Sequence, residues 1–214
     1  DAVIDRHAAL KSGHSPPTLL YLSSRKRERD FATLVLLDSS LSTDSWVKDR
    51  RVMDTLKESM LVLGEVMEDY RDQLAIGAFY SNTRNDCRYL EVKKFNENWK
   101  HCLPKLVGMK PTGYTRIGPA LRHGLHVLGK ARAKKKLLVL ISDGKPTDYD
   151  RYEGKYGMED IRQAVREANG LHISMRALAI EAHAKFYLPQ MFGVGNYQIL
   201  PEPGQLAGSL ARIF

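Results

Sequence analysis

Residues 136–142 read KLLVLIS, an apolar run closed by a serine and followed at once by Asp143 and Gly144. A strand buried on both faces of a parallel sheet has this pattern, because neither set of alternate side chains meets water. Working backwards, residues 33–37 (TLVLL) form a second run of the same kind, and it too stops at an aspartate, Asp38. Ligands of open α/β sheets bind beyond the carboxyl ends of the strands, so the sheet brings both acids to the edge where chemistry is expected.

The segments between and beyond these runs alternate between helical and extended patterns. Met53, Leu56, Met60, Leu63, Met67 and Tyr70 recur at steps of three and four, which predicts one long helix over 46–70 with an apolar stripe. Segments 74–80 (LAIGAFY) and 88–95 (RYLEVKKF) predict a hairpin closed by a polar turn over 81–86. A short helix is expected over 99–106. A loop at 113–116 (GYTR) then leads into a helix marked by Ile117, Leu121, Leu125 and Leu128. The polar stretch 144–157 is too long for an ordinary strand-to-helix connection and reads as functional or mobile. Further helices are predicted at 158–168, 186–192 and 205–213, with strands at 173–180 and 197–200. The alternation implies an α/β fold: a doubly wound, mostly parallel sheet with one antiparallel edge strand and helices on both faces.

Residues 1–30, with Ser15-Pro16-Pro17 and a basic run, read as a linker or strap, and the organised domain as 31–214. The chain opens on Asp1 with no apolar targeting run, which reads as a piece of a longer protein. Two cysteines, Cys87 and Cys102, are too few for a disulfide scaffold and lack zinc spacing, so a reducing cytoplasm is the simplest compartment. No apolar stretch approaches the ~20 residues of a membrane span. The net charge of +8 favours an acidic partner without choosing one, and no nucleic-acid motif accompanies the basic runs at 25–29 and 132–136.

Asp38-Ser39-Ser40-Leu41-Ser42 places a carboxylate and two hydroxyls at alternate positions of one loop. Thr115 stands just ahead of a helix and Asp143 at the second strand end. Hard oxygen donors of this kind suit Mg²⁺ or Mn²⁺ rather than zinc, and a set rich in hydroxyls leaves coordination positions for waters or an incoming acid. Taken alone, the first segment is equally consistent with Asp38 or Thr43 capping the next helix.

The three segments together, Asp-x-Ser-x-Ser, a loop threonine and a strand-terminal Asp-Gly, resemble the metal-ion-dependent adhesion site (MIDAS) of von Willebrand factor A domains, in the family's order. The resemblance implies that Ser40, Ser42 and Thr115 ligate the ion directly. Asp38 and Asp143 would act mainly through water, or directly as the site changes state, and the ion would grip a partner's carboxylate. Segments 37–46 (LDSSLSTDSW), 113–122 (GYTRIGPALR) and 143–168 (DGKPTDYDRYEGKYGMEDIRQAVREA) are further similar to the C-terminal domains of the CbbO and NorD group. That similarity implies an adaptor working with a MoxR-type AAA+ ATPase. Its client would be rubisco, the favoured reading, or nitric oxide reductase in maturation.

Other classes fit less well. A Mg²⁺-dependent phosphatase with a nucleophilic Asp38 needs a second acid two residues on, where Ser40 stands. There is no Walker run, Gly193-Val-Gly195 does not open the first strand-to-helix turn, and the seven histidines share no metal spacing. No enzyme activity is expected of the chain itself. Tyr149, Arg151, Tyr152 and Tyr156, close after Asp143, either form a partner-binding rim or pack on the sheet edge.

Overall fold

The computed structural model describes residues 12, 30–47, 49–70, 72–142, 145–180 and 182–213. The strap expected over 1–30 therefore falls almost wholly outside the described residues, as does the candidate ligand Asp143.

Among the described residues eight strands form, six of them in one sheet: β1 (Phe31–Asp38), β4 (Gln73–Thr83), β5 (Asp86–Lys93), β6 (Lys135–Ser142), β7 (Ile173–Ala179) and β8 (Tyr197–Ile199). Their order is β5-β4-β1-β6-β7-β8, with every neighbouring pair parallel except the β4–β5 hairpin at one edge. The two apolar runs sit side by side at its centre, Leu34 opposite Leu138 and Leu37 opposite Ile141.

Their continuous apolarity has a direct cause. Leu34 and Leu36 of β1, with Leu138 and Leu140 of β6, belong to one core, whereas Val35, Leu37, Val139 and Ile141 belong to the other. The first core is covered by α3 (Ile117–Gly129), α4 (Gly154–Gly170) and α5 (Leu188–Phe192); the second by α1 (Val52–Tyr70), α2 (Trp99–Gly108) and α6 (Leu206–Ile213). Met53, Leu56, Met60, Leu63 and Met67 of the α1 stripe are all buried in the second core.

The helix predicted over 46–70 is shorter than expected. Trp46–Val47 (β2) and Arg50–Arg51 (β3) pair as a small antiparallel ribbon, and α1 starts only at Val52. The apolar stripe with helical period begins only at Met53; of the described residues before it Val47 packs against the second core, and Asp49 turns the chain with a φ of 63°. The β4–β5 turn is likewise tighter than 81–86, because both strands run on to Thr83 and Asp86. The polar 144–157 segment ends early, with α4 beginning at Gly154. Among the described residues no helix is long and apolar enough to cross a membrane. Cys87 and Cys102 are free thiols.

Candidate metal centre

The chain leaves β1 for α1 and β4 on one side, then returns to β6 on the other, so the β1–β6 boundary is the point where the winding reverses. Loops diverge there and leave a crevice. Asp38 is the last residue of β1 and lies at the bottom of that crevice, fully buried. Its Oδ1 accepts the Ser40 amide at 2.9 Å and its Oδ2 accepts the Ser142 hydroxyl at 2.7 Å. Thr115 supplies a further side-chain hydrogen bond. The Ser40 and Ser42 hydroxyls lie 2.8 Å apart. Asp38, Ser40, Ser42 and Thr115 are thus brought together from two loops, while Asp143 lies outside the described residues.

Backbone pairing holds these loops. Leu41 donates to Gly113 O at 3.0 Å, Thr112 donates to Ser39 O at 2.8 Å, and Ser39 donates to Phe79 O at 3.0 Å. Tyr114 bridges to Ser81 and Thr115 to Thr147. The Thr115 loop is therefore clamped between the end of β4 and the segment after β6. Gly113 makes the clamp possible: its φ is +67°, and a Cβ there would meet Ser81 O at 2.4 Å. Thr43 does not cap α1; its hydroxyl turns back to Ser40 O at 2.7 Å. Asp38 caps no helix either, its local bond to the Ser40 amide closing a turn.

A second polar layer stands behind Thr115. The Arg116 guanidinium is buried, donates to Asp148 at 2.9 Å, pairs with Asp150, and lies 4.2 Å from the centroid of the Tyr152 ring. Burial alone would lower the Arg116 pKa, but the Asp148 hydrogen bond and the two carboxylate charges outweigh it and raise it. The Tyr152 hydroxyl accepts the Gly118 amide at 3.1 Å and donates to Asp160. Asp160 in turn pairs with Arg122 at 2.7 Å. Tyr152 is thus removed from the expected partner-binding rim: it has no exposed surface, and its ring and hydroxyl fasten the post-β6 segment to α3 and α4. Tyr149 and Tyr156 are 78% and 62% exposed, and Arg151 is exposed, so these three remain available to a partner.

Residue spacing does not single out Ser142, Arg116 or Asp148. Ser142 was legible in principle as the last side chain before Asp143. The Arg116–Asp148 pair spans 32 positions of sequence and had no local signal.

The donor set fits a hard cation. Asp38 is a fully buried carboxylate that, among the described residues, accepts hydrogen bonds from neutral hydroxyls and an amide, and burial raises its pKa above the ordinary value against the pull of those bonds. No group of three or more His, Cys, Asp or Glu side chains gathers among the described residues, so softer or acid-rich metal sites find no support there.

Known proteins sharpen the picture. Protein NorD of Brucella melitensis biotype 1 is 37% identical over 215 residues, and protein NorD of Stutzerimonas stutzeri is 38% identical over 208. These alignments cover 100% and 96% of this chain but 34% of each relative, so the chain spans about a third of the length of the relatives it matches. A solved von Willebrand factor type A structure from Catenulispora acidiphila superposes with a TM-score of 0.62 at 16% identity, covering 86% of this chain and 42% of that one. The family model for the von Willebrand factor type A domain matches residues 34–199, from the first core strand to the last. With the strand order, the reversal point and that match in agreement, the chain belongs to the von Willebrand factor type A domain family.

Proposed function

We propose that the chain is the metal-dependent, protein-binding adaptor domain of a longer protein, with Mg²⁺ or Mn²⁺ held by Asp38, Ser40, Ser42, Thr115 and Asp143. The observation that supports this best is the buried Asp38 carboxylate at the winding reversal, which among the described residues is bonded by the Ser40 amide and by hydroxyls. When bound, the ion supplies a hard Lewis-acidic position for a client carboxylate. The residues of the chain do the rest. Asp38 and Asp143 would balance the ion's charge, and the hydroxyls of Ser40, Ser42 and Thr115 would hold it without filling it with acids; the Leu41–Gly113 and Thr112–Ser39 backbone bonds fix the two ligand loops against each other, and the Thr115–Thr147 bridge ties Thr115 to the segment after β6.

On this reading the domain catalyses nothing itself, and a MoxR-type AAA+ ATPase, reached through the rest of the parent chain, supplies remodelling work. The relatives bearing the name NorD favour a NorD-like role in nitric oxide reductase maturation. The rubisco client preferred from sequence, as in a CbbO-type rubisco activase, takes second place because it rests on motif resemblance alone.

Calorimetry tests the metal. Wild type is expected to bind Mn²⁺, and both Asp38→Asn and Ser42→Ala to weaken it by at least about tenfold, since even residues that only orient ligands commonly cost that much. Asp38→Asn is preferred to alanine because the side chain is buried and its acceptor for the Ser40 amide must be kept. Unchanged affinity in both variants overturns the assignment.

A further inference from the structure

Ser42 does more than border the candidate metal. It also lines a groove of about 990 Å³ that runs from the ligand cluster between the β2 ribbon with Val47, the post-β6 segment with Lys145, the first turns of α4 with Met158, and the post-β7 segment with Ile180 and Tyr187. We infer that this groove is a second recognition element for the same partner, seating a large apolar side chain, preferably aromatic, adjacent in sequence to the acidic residue. The inference rests on the reading of the site as a carboxylate-binding centre and names the chemistry of what binds there: an extended acidic–aromatic protein segment.

Three observations support that occupant. The first is continuity, because a chain whose carboxylate reaches Ser42 has its neighbouring side chain at the mouth of the groove, and extended residues advance only about 3.3 Å each. The second is charge. Among the described residues the Lys145 ammonium has no carboxylate in ion-pair range and faces the Tyr187 ring at 6.0 Å, so it stands at the groove wall as a cation that an acidic segment can pair. Glu153, also on the groove wall, would repel a segment that was acidic throughout, which favours one acid flanked by apolar residues.

The third is where the exposed aromatics lie. Among the described residues the exposed large aromatics are Trp46, Tyr114, Tyr149, Tyr156 and Phe186, and all five belong to segments at the carboxyl edge of the sheet. The exposed large apolar residues elsewhere, such as Val62, Val66 and Leu171, are aliphatic. Exposed aromatic side chains are costly in water and are the type enriched where proteins dock, so their concentration around one crevice marks a protein-binding face. The volume is also larger than one side chain requires, which suits a peptide segment laid along the groove.

Three blocked tripeptides, acetyl-Phe-Asp-Phe-amide, acetyl-Gly-Asp-Gly-amide and acetyl-Phe-Asn-Phe-amide, are titrated into the ¹⁵N-labelled chain with Mg²⁺ and with chelator. Flanking the acid on both sides covers either chain direction. In Mg²⁺ the Phe-Asp-Phe peptide is expected to bind about tenfold or more tighter than Gly-Asp-Gly, the gain from burying one phenyl ring. The advantage should shrink in Phe186→Ser and Met158→Gln, with Gly-Asp-Gly binding unchanged as proof of an intact fold and centre. Equal affinity for the two Asp peptides overturns the groove while leaving the carboxylate centre standing. Binding of Phe-Asn-Phe in chelator as tight as Phe-Asp-Phe in Mg²⁺ also overturns it, because the groove would then be an apolar pocket serving a different ligand. If neither Asp peptide binds in Mg²⁺, the carboxylate reading itself fails and takes this inference with it.

Discussion

Asp38 shows how one residue can serve two opposed requirements. Its position at the end of a strand buried on both faces strips it of water, which disfavours the charged form, yet the proposed role at a metal would need that charge. Hydrogen bonds from the Ser40 amide and the Ser142 and Thr115 hydroxyls offset part of the cost without supplying a positive charge. Asparagine at this position keeps the volume and the acceptor for Ser40, and its amide can donate to Ser142 Oγ once that hydroxyl turns. Asp38→Asn is therefore expected to raise the melting temperature in chelator by about 2–4 °C for each kcal/mol of relieved burial. It should also lose the further rise that Mg²⁺ gives wild type by mass action. Thermal scans in chelator and in Mg²⁺ check both halves, and a lower melting temperature in chelator would mean that the hydrogen bonds outweigh the buried charge. At this scale the donor types at Asp38, Ser40, Ser42 and Thr115 were readable from spacing. The separation of Tyr152 from Tyr149 and Tyr156 was not, because it depends on Gly118 and Asp160, which only the fold brings to its hydroxyl.

Among the elements, those with a continuous or periodic apolar signal were legible: β1, β6 and the α1 stripe follow directly from which core each side chain enters. The ribbon at 46–51 and the early start of α4 were not, since the first lacks any apolar period and the second opens on Gly154 and Gly157, residues that read as loop. The helices also differ in what they demand of glycine. At Gly118, in the first turn of α3, a Cβ would lie 1.8 Å from Asp160 Oδ2 and 2.9 Å from the Tyr152 hydroxyl, so the Asp160–Tyr152–Gly118 contacts exist only because nothing occupies that space. At Gly208 in α6 a Cβ meets nothing within 4 Å. The same substitution should therefore have opposite signs. Gly208→Ala is expected to stabilise by about 0.5–1 kcal/mol through the lost freedom of the unfolded chain. Gly118→Ala is expected to destabilise by about 1–3 kcal/mol, the usual cost of overpacking, by forcing Asp160 and Tyr152 apart. Urea midpoints for the two variants measure this, and a stabilising Gly118→Ala would show that the packing of α3 on α4 is looser than the close contact implies.

For the whole molecule, the distribution of surfaces separates two tasks. The carboxyl edge carries the candidate centre, the groove and the exposed aromatics, whereas the opposite edge and the outer helix faces carry Val62, Val66 and Leu171 with ordinary charged neighbours. The chain spans only about a third of the length of the relatives named NorD, and on the proposed reading docking to an ATPase would fall to surfaces or segments away from the carboxyl edge. Client recognition and motor assembly should then be separable by mutation at the metal. In the full-length parent, Asp38→Asn is expected to co-purify with its AAA+ partner at wild-type yield and to leave basal ATP hydrolysis unchanged, while client remodelling falls to background. Chelator should reproduce the wild-type loss, and Ala in place of one acidic residue on the client should match it from the other side, because a neutral side chain offers a hard cation no strong ligand. Co-purification with ATPase assays on the three samples gives the comparison. If Asp38→Asn kept full remodelling, or lost it together with the ATPase, metal and carboxylate would not be the point of contact with the client, although the fold and the family would stand.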